Sequence, residues 1–319
     1  MSITVKDAVD VFLAHRKPRV LPTSYYTYSF WLSRWLRWRE DTRQPEELVA
    51  VTLADLQAYF AHMLDVDGLA PASRDASWRI IKALWRLLAR RKMLSDLQLS
   101  FFGEDGLARV TVPDDILPVY TEETIRALLA ACDKLTDELW AARNRALIYL
   151  LWESGARASE LCSLTDEMTS LEDRRGVIMG KGGKPRWLFW DAGANSAIEA
   201  YLDVRQGPLG GPLLRDGRAG GPMTYTAILG ILRRTAKRAG VGLIKQSPVH
   251  SFRRTFAQDA LESGIADLEL QQLMGHRSII STMRYTRRAP ERLASVYSRM
   301  RQGRKERRGW CDSNARPTT

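Results

Sequence analysis

The chain has 319 residues, 45% of them hydrophobic and 27% charged, and its 48 Lys and Arg against 37 Asp and Glu give a formal net charge of +11. That balance excludes a disordered chain, allows two separate cores at about 100 to 200 residues per domain, and points to a polyanionic partner, nucleic acid first. Cys132, Cys162 and Cys311 are too scattered for a zinc pattern or a disulfide framework, and no run approaches the roughly 20 apolar residues of a membrane span or the core of a signal peptide, so a cytoplasmic protein is expected.

Helical spacing begins with Val5, Ala8, Val9, Phe12 and Leu13. A second helix after Thr23 and Ser24 would turn Tyr28, Trp31, Leu32 and Trp35 inward. Thr52 with Asp55 forms a helix-start box ahead of Leu56, Tyr59 and Phe60. After the turn at Gly68 to Pro71 a fourth helix runs to about Lys92, with Ile80, Leu84, Leu87 and Leu88 on one side and Arg79, Lys82, Arg86 and Arg90 on another. Such a helix can dock by one face and offer the other to phosphates, although a basic helix face is more often only solvated. Four helices make a small all-α domain over residues 1–100. Residues 101–118, with Gly, Pro and Asp clusters and no sustained period, read as a linker.

In the second half Thr121 starts a helix, and another follows through Trp140, Leu147, Leu150 and Leu151 to a stop at Gly155. Arg157 and Glu160 then open a new turn on a shared face. Val177 to Met179 and Trp187 to Trp190 flank GKGGK as the strands of a hairpin. That loop lacks the GxxxxGK[ST] pattern and a following helix, so ATP binding is excluded and Lys181 is placed on a tight tip. Helices are expected over residues 195–204 and 224–239, the latter closed by Gly240, and the loop between them carries Arg215 and Arg218 as candidate phosphate contacts. Ser247 and Pro248 mark a helix start that sets His250 and Arg253 on one face, where the helix dipole favours an anion. Leu270, Leu273 and Met274 form an apolar helix face that Gly275 ends. His276 follows, and Ser278 can cap a short helix carrying Met283 and Tyr285.

The motifs GARASEL, GKGGKPR, HSFRRTFA and LMGHRSIISTMRYT, in this order, resemble the tyrosine recombinase (phage integrase) family, over roughly residues 115 to 298. The resemblance implies a mainly α fold: an all-α, four-helix, SAM-like core-binding domain, and a mixed α/β catalytic domain over 119–300, mostly helical with a small antiparallel sheet. Together these would form a C-shaped clamp on DNA, and residues 301–319 would be a basic tail. It further implies a site-specific DNA recombinase of the chromosome-dimer-resolution or mobile-element kind, with no added arm-type domain. Such an enzyme works through a 3′-phosphotyrosine and a Holliday junction, without metal or other cofactor, near the nucleoid. Its partners would be double-stranded recombination sites held by a homo-tetramer. A hetero-tetramer with a related recombinase and accessory DNA-bending proteins are also compatible.

The residue types suit that chemistry. Attack by a tyrosine on a phosphodiester needs cations on the non-bridging oxygens, and the planar fork of arginine gives directed, permanently charged donors, which nominates Arg157 and Arg253. Tyr285, the nucleophile, needs help near neutral pH, and His250 can take part in its proton transfer. By resemblance Lys181 is the general acid for the leaving 5′-oxygen, with Lys184 its rival, and His276 donates to the phosphoryl oxygens. Glu160 would orient Arg157 or a neighbouring histidine. Further DNA contacts are expected from Arg74, Arg79, Lys82, Arg86, Arg90, Lys184, Arg186 and Arg254. A non-catalytic DNA-binding relative and a type IB topoisomerase are the alternatives.

Overall fold

The computed structural model describes residues 3–113, 118–179, 185–205, 210–217 and 220–275. Lys181, Lys184, Arg218, His276 and Tyr285 lie outside the described residues. The chain divides into two units, Met1–Asp115 and Ile116–Thr319.

In the first unit Thr4 and Asp7 cap each other at the start of α1 (Val5–Arg16), the Asp7 N–H donating to Thr4 Oγ1 at 3.0 Å and the Thr4 N–H to Asp7 Oδ2 at 3.1 Å. α2 (Pro22–Asp41) opens on proline, whose missing N–H is not needed there, and buries Leu32, Trp35 and Trp38. The box read from Thr52 and Asp55 is formed at the head of α3 (Leu53–Asp65), with reciprocal bonds of 3.2 and 2.8 Å. α4 (Pro71–Arg90) is the centre of the unit: it lies against α1, α2 and α3 and buries Trp78, Ile80, Ile81, Leu84, Trp85, Leu87 and Leu88. Truncating fully buried Leu84 to Ala would destabilise the unit by about 2 to 5 kcal/mol.

After the single turn of α5 (Asp96–Leu99), the expected linker behaves differently. Phe101 and Leu107 are buried in the first unit's core, the Trp78 indole N–H donates to the Leu107 carbonyl at 3.2 Å, and Arg109 forks onto Asp75 at 2.8 and 3.3 Å. Residues 101 to 110 therefore belong to the first unit. Isolated apolar anchors hold them, which leave no periodic trace in the sequence.

The second unit starts at Thr121, as expected, whose hydroxyl accepts the Thr124 N–H at the head of α6 (Glu122–Cys132). α7 (Glu138–Glu153) is its central helix, packed on α6 and on two later helices through fully buried Leu147, Ile148, Leu150 and Leu151. α8 (Ala158–Ser163) follows Gly155. Strands β1 (Thr169–Ser170), β2 (Arg175–Met179) and β3 (Pro185–Phe189) form an antiparallel sheet in that order, with Val177 opposite Trp187. Strand alternation sends Ile178 and Leu188 into the core and leaves Met179, Trp187 and Phe189 exposed. α9 (Ala192–Val204) packs on α7, and the two-residue strands β4 (Arg215–Asp216) and β5 (Gly221–Pro222) pair beyond it. α10 (Tyr225–Ala239) ends at left-handed Gly240, as its sequence predicts. α11 (Pro248–Glu262) packs on α7, and α12 (Asp267–Met274) packs on α11. No helix of the described residues is long and apolar enough to cross a membrane.

Candidate active site

The site begins where α7 stops. Gly155 has φ +57°, and a Cβ there would stand 2.3 Å from Cδ1 of Phe256, so only glycine can make this turn without moving the ring. The turn leads into Arg157 at the cap position of α8. Glu160, one turn later, reaches back: its Oε2 accepts the Arg157 backbone N–H at 2.7 Å and its Oε1 accepts Nη1 of Arg157 at 2.7 Å. The predicted shared face is thus a closed ring of bonds. Glu160 is 4% exposed, whereas the Arg157 side chain keeps 33% of its surface and has Nε and Nη2 without a protein partner among the described residues.

Arg253 comes to the same carboxylate from α11. Its side chain is wholly buried; Nη1 donates to the Gly155 carbonyl at 2.5 Å and lies 3.8 Å from Oε2 of Glu160, and Nη2 donates to the Met274 carbonyl. One guanidinium therefore joins the α7–α8 turn to the end of α12. The head of α11 is fixed from behind by Tyr120, whose N–H donates to Oγ1 of Thr255 at 3.0 Å and whose hydroxyl donates to the Pro248 carbonyl at 3.2 Å. Ser247, just before the helix, takes the left-handed conformation at φ 56°, a strained choice for a residue with a Cβ.

His250 stands in the first turn of α11. The residue as a whole is exposed, but desolvation of its ring, then the charges of Arg254, Arg253 and Arg157, push its pKa down to about 4. It is neutral at pH 7 and so has a lone pair with which to accept a proton. Glu160 feels the opposite balance: burial pushes its carboxyl up, but the hydrogen bond and charge of Arg186, then the N–H and charge of Arg157, outweigh it and hold the pKa below the usual carboxylate value. Glu160 is therefore ionised, a buried anion among guanidiniums.

Arg186, expected at the DNA, is instead committed to this cluster. Its side chain is 10% exposed; Nη2 and Nε donate to Oε2 and Oε1 of Glu160 at 2.6 and 3.3 Å, and Nη1 donates to the Leu273 carbonyl at 2.5 Å. Arg254 is likewise buried rather than set on an open face. Arg215, read as a phosphate contact, is buried too and donates to the Gly210 carbonyl at 3.0 Å. The signal missed for Arg186 and Arg215 is the supply of carbonyls and carboxylates around them, which residue type alone does not reveal.

On α4 the basic row divides. Arg79 pairs with Asp75 at 3.1 Å; Arg74 is half-buried and donates to the Leu69 carbonyl. Lys82 places its ammonium 4.6 Å from the centre of the Trp78 ring and donates to the Phe102 carbonyl. Arg86 and Arg90 are exposed, with no hydrogen-bond or ion-pair partner among the described residues. Among those residues no group of three or more His, Cys, Asp or Glu is placed to hold a metal ion.

Comparison with known proteins identifies the family and the fold. A family described as the phage integrase family matches residues 118–292. The chain is 32% identical to the tyrosine recombinase XerD of Vibrio cholerae over 275 residues, covering 84% of this chain and 86% of that one. It is 30% identical to XerC of Brucella melitensis over 258 residues, covering 80% and 79%. In fold it resembles a Tn1549 transposon integrase solved with transposon right end DNA, at a TM-score of 0.74 and 22% identity over 94% of this chain and 99% of that one. A lambda integrase dimer bound to a core site matches at a TM-score of 0.68 and 15% identity, over 89% and 95%. The small antiparallel sheets on a mostly helical scaffold, the ordered motifs and these relatives together make the chain a member of the phage integrase family, a tyrosine site-specific recombinase.

Proposed function

We propose that this protein cuts and rejoins double-stranded DNA at paired recombination sites, with Tyr285 attacking the scissile phosphate to give a 3′-phosphotyrosine and free 5′-hydroxyl. The observation that carries this reading is the convergence of Arg157 and Arg253, from distant parts of the chain, on one ionised carboxylate, with His250 kept neutral by desolvation and by the charges of Arg254 and of these two guanidiniums. Arg157 offers Nε and Nη2 to a phosphate oxygen. Arg253 joins it by exchanging one of its two carbonyl partners for the phosphate, a charge-assisted bond roughly twice as strong as a neutral one. His250 accepts the Tyr285 proton, Lys181 protonates the departing 5′-oxygen, with Lys184 the alternative, and His276 donates to the developing phosphorane. A second 5′-hydroxyl then attacks the phosphotyrosine, so the bond energy is conserved through the Holliday junction.

On this reading the first unit serves as the core-binding domain, the second as the catalytic domain up to about residue 300, and the basic tail as a further DNA contact. Four copies act on two sites in the cytoplasm, at the nucleoid, and exchange strands in pairs. The test is covalent trapping. Wild type and Tyr285→Phe are incubated with fragmented host and element DNA, denatured, and the protein-linked ends sequenced. Adducts at a recurring sequence, formed only with the tyrosine, are expected. Adducts without sequence preference would indicate a topoisomerase, and adducts that persist in the Phe variant would remove Tyr285 as nucleophile.

A further inference from the structure

The residue that ties the cluster together is one the reaction itself does not call for. Arg186 lies on β3, five positions after Lys181, and besides a 3.3 Å bond from Nη1 to the Trp187 carbonyl beside it, its bonds lead to other parts of the site. Two donors fork onto Glu160, at 2.6 and 3.3 Å, and a third holds the Leu273 carbonyl in the last turn of α12. The next carbonyl, that of Met274, is held by Arg253. Gly275, which precedes His276, is left-handed at φ +60°, and a Cβ on it would stand 2.5 Å from Cδ of Arg186. The glycine therefore makes the passage through which the arginine reaches the end of α12.

We propose that Arg186 is a positioning residue for strand cleavage: a clasp joining the β2–β3 hairpin, the Glu160 carboxylate and the C-terminal turn of α12. This rests on the catalytic reading given above. Two consequences follow from the bonds. By neutralising Glu160, Arg186 lets that carboxylate orient Arg157 without drawing the open edge of its guanidinium inward. By holding Leu273 beside Met274, it fixes the point from which the chain continues to His276. Lysine cannot substitute, because its three donors leave one nitrogen, whereas Arg186 spans the Glu160 carboxylate and the Leu273 carbonyl with three separate nitrogens.

Arg186→Lys and Arg186→Gln test this in three readings. In the DNA-free protein, hydrogen exchange at the Leu273 to Gly275 amides rises on the order of tenfold in both variants, the scale of one lost charged hydrogen bond. Affinity for a fluorescent random-sequence duplex stays within about twofold across a salt titration. Formation of the covalent adduct slows by at least about tenfold, as displacement of catalytic groups by an ångström or less does. A salt slope lowered by about 0.9 with unchanged exchange would make Arg186 a phosphate contact and overturn the proposal. Wild-type behaviour of Arg186→Lys in exchange and adduct formation would refute the fork geometry. Absence of adducts in the wild type would sink the catalytic reading, while the exchange data alone would still decide whether the clasp exists.

Discussion

Replacing Glu160 by Gln removes the one negative charge shared by Arg157, Arg186 and Arg253 while keeping the side chain's size. Arg253 is wholly buried 3.8 Å away and Arg186 nearly so at 2.6 Å, so neither can turn to water when the carboxylate is lost. A pair at that separation attracts by about 4 kcal/mol at the effective dielectric suited to proteins, and deleting one partner of a buried pair typically costs about 3 to 5 kcal/mol. Arg157, one-third exposed, adds at most about 1 kcal/mol. The expected loss of about 3 to 5 kcal/mol corresponds to a fall of roughly 6 to 20 °C in the unfolding midpoint of a unit this size. Urea and thermal unfolding at neutral pH would measure it. The pH dependence supplies a second reading. The Glu160 pKa is lowered in the fold from 4.5, so its contribution is complete above that value and disappears as the pH falls through the lower folded one. Glu160→Gln should flatten that acid limb. A loss under about 1 kcal/mol, or an unchanged acid limb, would show that the three guanidiniums do not depend on the carboxylate.

Gly155→Ala sets a Cβ 2.3 Å from the Phe256 ring at a left-handed position, and urea unfolding should report about 2 to 4 kcal/mol of destabilisation; a change below about 1 kcal/mol would mean the ring yields freely. The His250 ring should titrate near pH 4 in an NMR series on the free protein, and higher once a bound phosphate adds negative charge. Because its folded pKa lies below the unfolded 6.5, protonation favours the unfolded chain, so His250→Gln should flatten the loss of stability between pH 6.5 and about 4; a titration near 6.5 would contradict the desolvation of the ring and the arginine charges around it. Arg86→Ala and Arg90→Ala should each lower the slope of log affinity against log salt by about 0.9, whereas Lys82→Ala, which strips the cation from Trp78, should chiefly lower thermal stability. A flat salt response in the wild type would remove DNA from the α4 face.

Local rules carry much of the fold. Thr52 with Asp55, the glycine after α10 and the apolar stripes of α1 to α4 are decided by neighbours within about one or two helical turns, and all are formed as read. What the local rules miss is structure held by single long-range anchors. Residues 101 to 110 look like a linker because Phe101 and Leu107 repeat with no period, yet each finds a place on α4 and its neighbours. Strands β4 and β5, two residues each, are too short to show alternation at all.

The site divides along the same line, and the division bears on how the net charge is understood. Arg157 and Glu160 are three apart, so their pairing is local and could be read. Arg186 meets Leu273 across 87 positions and Arg253 meets Gly155 across 98, distances at which sequence offers only residue type. By residue type Arg186, Arg215 and Arg254 read as surface cations for DNA; in the fold Arg215 and Arg254 are buried, as are Arg143, Arg205 and Arg253, and the Arg186 side chain is only 10% exposed. A net charge of +11 therefore overstates the positive surface that these units offer to DNA. Arg186, Arg205 and Arg215 stay charged, but their donors are spent on carbonyls and carboxylates of their own fold, and they release no counterion when DNA arrives. The salt dependence of binding has to come from cations such as Arg86 and Arg90 that remain open to solvent, and the number of phosphates it reports should fall well short of the number of basic residues.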